Sequence, residues 1–226
     1  MSRKDKTSST FLRGFGKAYE IFKAITDAVK NLAGGQTDTY LSRLLTDKDR
    51  LKHVAQAIVG INVAGHFNTW KTIKLGTGLK TADDFRVALQ NQGCKVSDWV
   101  NDILGKPAFT ASIADQEIEV ELVKVTVAEL EFKDGATRQQ IYNRAQELGL
   151  YLCPAEVGPL LRLQYLDQPN GEWVLVAMEP ITNSDGSVNV FSVKRVDGSL
   201  WLNVSSGRPG SFWLAGNRWV FLRRKY

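Results

Sequence analysis

The last third of the chain constrains the fold most. Five runs of apolar and aromatic residues, EWVLVAMEPI, VNVFSVKRV, SLWLNV, SFWLA and RWVFLRR, follow one another from Glu172 to Arg224. Ser184-Asp185-Gly186, Asp197-Gly198 and Gly216-Asn217 separate them, and Asp-Gly or Gly-Asn supplies the positive-φ residues that tight hairpins need. The pattern predicts an antiparallel sheet of four or five strands with one face on helices. Trp173, Trp201, Trp213 and Trp219 fall in it, interleaved with Lys194, Arg195, Arg208, Arg218, Arg223, Arg224 and Lys225.

Upstream the periodicity changes. Residues 10 to 33 carry Phe15, Tyr19, Phe22, Ile25, Val29 and Leu32 at steps of three and four, an amphipathic helix ended by Gly34-Gly35. Further helices are expected over 37–45 and 46–59, the latter opened by an N-cap with acids in its first turn. Trp70 to Leu75 reads as a strand, Thr81 as the cap of a helix holding Phe85 and Leu89, and 97–104 as a helix burying Trp99, Val100 and Ile103. Residues 117 to 132 alternate Glu117, Glu119 and Glu121 with Ile118, Val120 and Leu122, the period of a half-exposed strand. Thr137 and Gln140 form a capping box, and Gly149 closes that helix. The expected architecture is α+β: a helical amino-terminal segment over 1–66, then a mixed core over 67–226 ending in an antiparallel β-meander.

Charge is unevenly distributed. Residues 1–30 hold seven Lys or Arg against three acids, and residues 191–226 hold seven against one. The whole chain carries +5, so the body between is acidic. Basic ends meet an anionic partner or simply keep the protein soluble. Basic residues among aromatics on a sheet suit single-stranded nucleic acid, RNA or DNA, because bases stack on rings and phosphates pair with cations. The candidate contacts are Lys194, Arg195, Arg208, Arg218, Arg223, Arg224, Lys225 and Trp213.

The densest stretch is GLYLCPAEVGPLLRLQY, Gly149 to Tyr165. Pro154 and Pro159 restrict its backbone, and Glu156 lies six residues before Arg162, with Tyr151 and Tyr165 outside them. Glu156 as base, Arg162 as phosphate clamp and Tyr151 or Tyr165 as proton donor would make a metal-independent ribonuclease of toxin type. The competing reading is a structural Glu156–Arg162 ion pair. Gly76, Gly78, Lys80 and Thr81 imitate only the end of a phosphate-binding loop, and a tight turn with a Thr cap accounts for them equally. The glutamates of 117–121 would suit a hard cation or a solvated strand face.

No nucleophile with its base and no metal-ligand cluster is legible, so a non-catalytic protein without cofactor or metal is the first expectation. His53 and His66, the only histidines, lie outside the dense stretch, and Cys153 between Leu152 and Pro154 reads as a small buried hydrophobe. Two distant cysteines fit a reducing cytoplasm, and no run approaches the length of a transmembrane helix. A third class is a protein–protein adaptor acting through helix 10–33.

WKTIKLGTG (Trp70 to Gly78), GLYLCPAEVGPLLRLQY and GEWVLVAMEPI together resemble a family of uncharacterised bacterial proteins, over roughly residues 68–226. The resemblance implies one module behind a variable helical segment and carries no activity. Some such sequences are labelled helicase automatically, which this chain contradicts: it has no Walker A and B pair and is too short for two motor domains.

Overall fold

In a computed structural model the described residues are 67–223 together with Lys23, Thr26, Asp27 and Lys30, which are helical. The chain divides into two units, Met1–Asn62 and Val63–Tyr226. Apart from those four positions, the expected helices over 10–33, 37–45 and 46–59 lie outside the described residues, as do His53, His66, Arg224 and Lys225.

In chain order the second unit runs β1 (Lys71–Leu75), α1 (Ala82–Asn91), β2 (Lys95–Val96), α2 (Asp98–Leu104), α3 (Pro107–Thr110), β3 (Ile118–Thr126), β4 (Ala136–Thr137), α4 (Arg138–Glu147), α5 (Val157–Gln164), β5 (Trp173–Val176), β6 (Ile181–Thr182), β7 (Val188–Val196), β8 (Ser199–Ser206), β9 (Phe212–Trp213) and β10 (Arg218–Leu222). Both capping boxes form: Thr81 Oγ1 accepts from Asp84 N–H, and Thr137 Oγ1 from Gln140 N–H. Gly149, at φ +78°, follows α4 in the left-handed region that favours glycine. One burial expectation fails: Val100 and Ile103 of α2 are enclosed, whereas Trp99 is 48% exposed.

The architecture is mixed α/β. Seven strands lie in the order β1-β3-β10-β5-β7-β8-β2, with β6 on β7, and β4 pairs with β9 in a separate ribbon. β7 and β8 form the expected hairpin at Asp197-Gly198, but the chain does not continue as a meander. After β8 it crosses to pair β9 with β4, and β10 returns between β3, antiparallel to it, and β5, parallel to it. The reason is legible in β10 itself. Trp219, Val220, Phe221 and Leu222 form an unbroken apolar run, all at 2% exposure or less, which suits a central strand covered on both faces.

Cross-strand partners share a face of a sheet, so register assigns the two layers. On one face Phe191 meets Phe109 of α3 with ring centroids 6.0 Å apart, and Phe109 meets Phe85 of α1 at 5.2 Å. Gly158 of α5 sits so close that a Cβ there would lie 2.4 Å from Phe191 Cδ2. On the other face Tyr142 of α4 packs edge-on against Trp219 at 5.6 Å and Phe221 at 6.1 Å, and Trp213 of the ribbon covers Trp219 at 5.2 Å.

The free edge of β1 is closed by side chains. Gln164 Oε1 accepts from Lys74 N–H and its Nε2 donates to Lys74 C=O, both at 2.9 Å. Glu156 Oε1 takes the next outward amide, that of Gly76, at 2.9 Å. The end of α5 and the residue before its start thus supply the pairing that another strand would give, which protects an exposed edge.

Candidate functional site

The dense stretch is a structural junction around α5. Glu156 is fully enclosed: Oε1 accepts from Gly76 N–H and Oε2 from Ala114 N–H, each at 2.9 Å. Its own N–H donates to Ser112 Oγ at 3.1 Å. Arg162, also enclosed, donates to Gln168 Oε1 at 2.5 Å and to the Tyr165 carbonyl. Burial pushes its guanidinium below the usual arginine range. The expected Glu156–Arg162 ion pair does not form, and each group has its own partners. Six helical residues turn about 240°, leaving the two side chains about 120° apart, whereas Gln164, eight residues on, returns to the face of Glu156.

Tyr165 is 4% exposed and its hydroxyl donates to Glu172 Oε2 at 2.6 Å. Burial and then the Glu172 charge push the phenol up. Lys124 Nζ meets Glu172 Oε1 at 2.6 Å and lies 4.3 Å from the Trp70 ring centroid. Burial works against the Glu172 charge, but Lys124 and Tyr165 outweigh it and hold the carboxyl below its usual range. Tyr151, 43% exposed, is bridged to Leu222. Arg162 and Tyr165 are joined through the Tyr165 carbonyl, whereas Glu156 and Tyr151 each have other partners, so the four residues of the ribonuclease expectation do not share one network. Cys153 is 3% exposed, and burial pushes its thiol up.

The glycine loop after β1 is internally satisfied. Gly76 N–H serves Glu156, the amides of Lys80 and Thr81 serve Asp84 Oδ2, and Lys80 Nζ donates to the carbonyls of Ala114 and Asp115. A side-chain carboxylate occupies the place that an anion would take against this loop. Beside it lies an open groove of about 500 Å³ lined by residues 111–116, Ile118 and Pro154. Two of the three strand-face glutamates are engaged too: Lys74 pairs with Glu117 at 2.9 Å and Arg223 with Glu121 at 3.2 Å. Among the described residues no group of three His, Cys, Asp or Glu is placed to hold a metal ion, and no helix is long and apolar enough to cross a membrane.

The sheet divides the expected basic and aromatic contacts between its two faces. Trp173 of β5 stands opposite Lys194 of β7, Lys194 opposite Trp201 of β8, and Trp201 opposite Lys95 of β2. This row crosses four neighbouring strands on one face, alternating ring and cation. Lys95 Nζ lies 5.3 Å and Lys194 Nζ 5.6 Å from the Trp201 ring centroid, within cation–π range. Trp173 is 41% exposed, Lys95 is exposed, and Lys194 and Trp201 are half-buried. Trp213, 8% exposed, meets Trp173 edge-on at 6.0 Å.

Of the other expected contacts, Arg195 and Arg218 belong to the opposite face. Arg195 donates to the Gln168 carbonyl at 3.1 Å, and the charge of Arg218 acts on Glu172. Arg208 is exposed in the loop before β9, and Arg223 is tied to Glu121 and to Thr69 Oγ1. Arg224 and Lys225 lie outside the described residues. Lys95 was missed from sequence because a two-residue parallel strand leaves no periodic trace. Neither protein-family models, nor curated proteins, nor solved structures gave a match to the chain.

Proposed function

We propose that the protein is a cytoplasmic, non-catalytic binder of single-stranded nucleic acid. The observation that carries this reading is the transverse row Trp173–Lys194–Trp201–Lys95. Its two indoles lie two strand spacings apart, about 10 Å, and each offers a plane to a base. The lysines between and beside them meet the phosphates. Stacking of this kind tolerates any base, so the reading is of a sequence-tolerant binder. Two enclosed free thiols, Cys94 and Cys153, accord with a reducing compartment.

The test is anisotropy of labelled single-stranded RNA and DNA across a salt series, with the RNA run on a gel for cleavage. Salt-dependent binding without cleavage is expected. Trp201→Ala should weaken it roughly 5- to 150-fold, the equivalent of one stacked base at about 1–3 kcal/mol. Lys194→Ala should lower the salt slope by about one. Absence of binding at low salt would refute the reading.

A further inference from the structure

Trp201 does not stand alone on its face of β8. Side chains alternate along a strand, so Asn203, two residues on, shares that face about 7 Å away. Register agrees: Asn203 stands opposite Ser192 of β7 as Trp201 stands opposite Lys194. Asn203 is half-buried, and its Oδ1 accepts from Val204 N–H at 2.8 Å, which fixes the amide and leaves Nδ2 as a donor. Its neighbours do not take that donor. Ser192 accepts instead from Ser205 Oγ at 3.1 Å, and Asn203 Nδ2 has no acceptor among the described residues. A fixed amide donor therefore stands one side-chain step from the Trp201 indole, the separation at which a group meets the edge of a base lying on the ring.

The spacing of the row makes a second demand. Bases in a stacked nucleic-acid strand follow one another at about 3.4 Å, whereas Trp173 and Trp201 stand about 10 Å apart with Lys194 between them. Each indole needs the face of a base, so both bases must leave the strand's own stack, with an intervening phosphate on Lys194. Strands that stack weakly give up least on doing so, which favours pyrimidine runs over adenine runs.

We propose that the row selects pyrimidine-rich single strands and that Asn203 Nδ2 donates to a carbonyl oxygen of the uracil or thymine stacked on Trp201. Uracil and thymine present carbonyl oxygens on both sides of their N3–H edge, whereas adenine sets an amino group, itself a donor, against Nδ2. Stacking alone tolerates any base, and Asn203 adds a preference at one position. That preference rests on the strand-binding reading of the row.

The experiment is competition for the full chain between labelled oligouridine and unlabelled oligouridine, oligothymidine or oligoadenosine, all of about ten nucleotides, at low salt. The wild type should bind oligouridine about 10-fold or more tighter than oligoadenosine. Asn203→Asp keeps the oxygen that Val204 N–H needs and replaces the donor by an acceptor. It should cut the ratio about 2- to 12-fold, the equivalent of one neutral hydrogen bond. The ratio is the readout because the added charge weakens both strands alike. Asn203→Ala removes the donor without adding charge and should cut the ratio about as much, with oligoadenosine binding retained as the folding control. Equal binding of oligouridine and oligothymidine places the recognition in the base, and tighter binding of oligouridine adds the 2′-hydroxyl; both support the proposal. A wild type that binds all three strands alike, or a ratio undiminished in both variants, would overturn the proposal and leave strand binding standing. No binding of any strand at low salt would sink the strand-binding reading and the proposal together.

Discussion

Glu156→Gln changes almost no volume and reverses the hydrogen-bonding character of one atom. Both carboxylate oxygens of the enclosed Glu156 accept a backbone N–H at 2.9 Å, from Gly76 and from Ala114. A glutamine has one acceptor and one NH₂, so whichever way it turns, a backbone N–H faces a donor. The loss of one charge-assisted bond amounts to about 1.5–3 kcal/mol, and leaving the opposing N–H buried and unpaired brings the total to about 2–4 kcal/mol. For a folded unit of this size each kcal/mol lowers the melting temperature by about 2–4 °C, giving a fall of roughly 5–15 °C. Urea unfolding followed by tryptophan fluorescence, beside a thermal melt, measures it directly. A Glu156→Gln protein that melts within a degree of the wild type would refute the view that this carboxylate holds the glycine loop and the 111–118 segment to α5. If that stable variant had also lost an RNA-cleaving activity, the residue would belong to a mechanism instead.

Other consequences are as concrete. Gly158→Ala places a Cβ 2.4 Å from the Phe191 ring, and the overpacking, about 1–3 kcal/mol, should exceed the helix-propensity gain of about 1 kcal/mol; Gly210→Ala, with nothing within 4 Å, is the melting control and should be neutral. A rise in stability for Gly158→Ala would show that the helix–sheet contact is looser than described. Asp102 is held down to about 2 by Ser184 N–H foremost, then by Lys106 and the Ser184 hydroxyl. Because its folded pKa lies below the ordinary carboxylate value, its contribution is present above that value and fades as pH falls toward 2. The Ser184 amide resonance should therefore hold its position to about pH 3 and shift below it, and Asp102→Asn should flatten that acid limb. A Ser184 amide titrating near pH 4 would exclude the contact.

Local signals carried much of the fold. The capping boxes at Thr81 and Thr137, the stop at Gly149 and the Asp197-Gly198 hairpin each depend on residues within a few positions of one another. Strand order does not. The return of β10 between β3 and β5 depends on β9 pairing with β4 across some 75 residues, and the only local hint was that β10 is apolar throughout rather than alternating. The candidate site divides the same way. Glu156 and Arg162 stood close in sequence, yet the 3.6-residue helical period separates them and brings Glu156 together with Gln164. Trp173, Lys194 and Trp201 were visible as aromatic and basic residues on strands, but only register aligns them. Arg195, beside Lys194, takes the other face because strand side chains alternate.

The most direct test of the central reading is photocrosslinking of 5-bromouridine-substituted single-stranded RNA to the protein, with the modified peptides mapped. The account requires crosslinks at Trp173 or Trp201, reduced in Lys95→Glu. Binding whose crosslinks fall instead on the groove lined by residues 111–116, Ile118 and Pro154, or anywhere off this row, would contradict it.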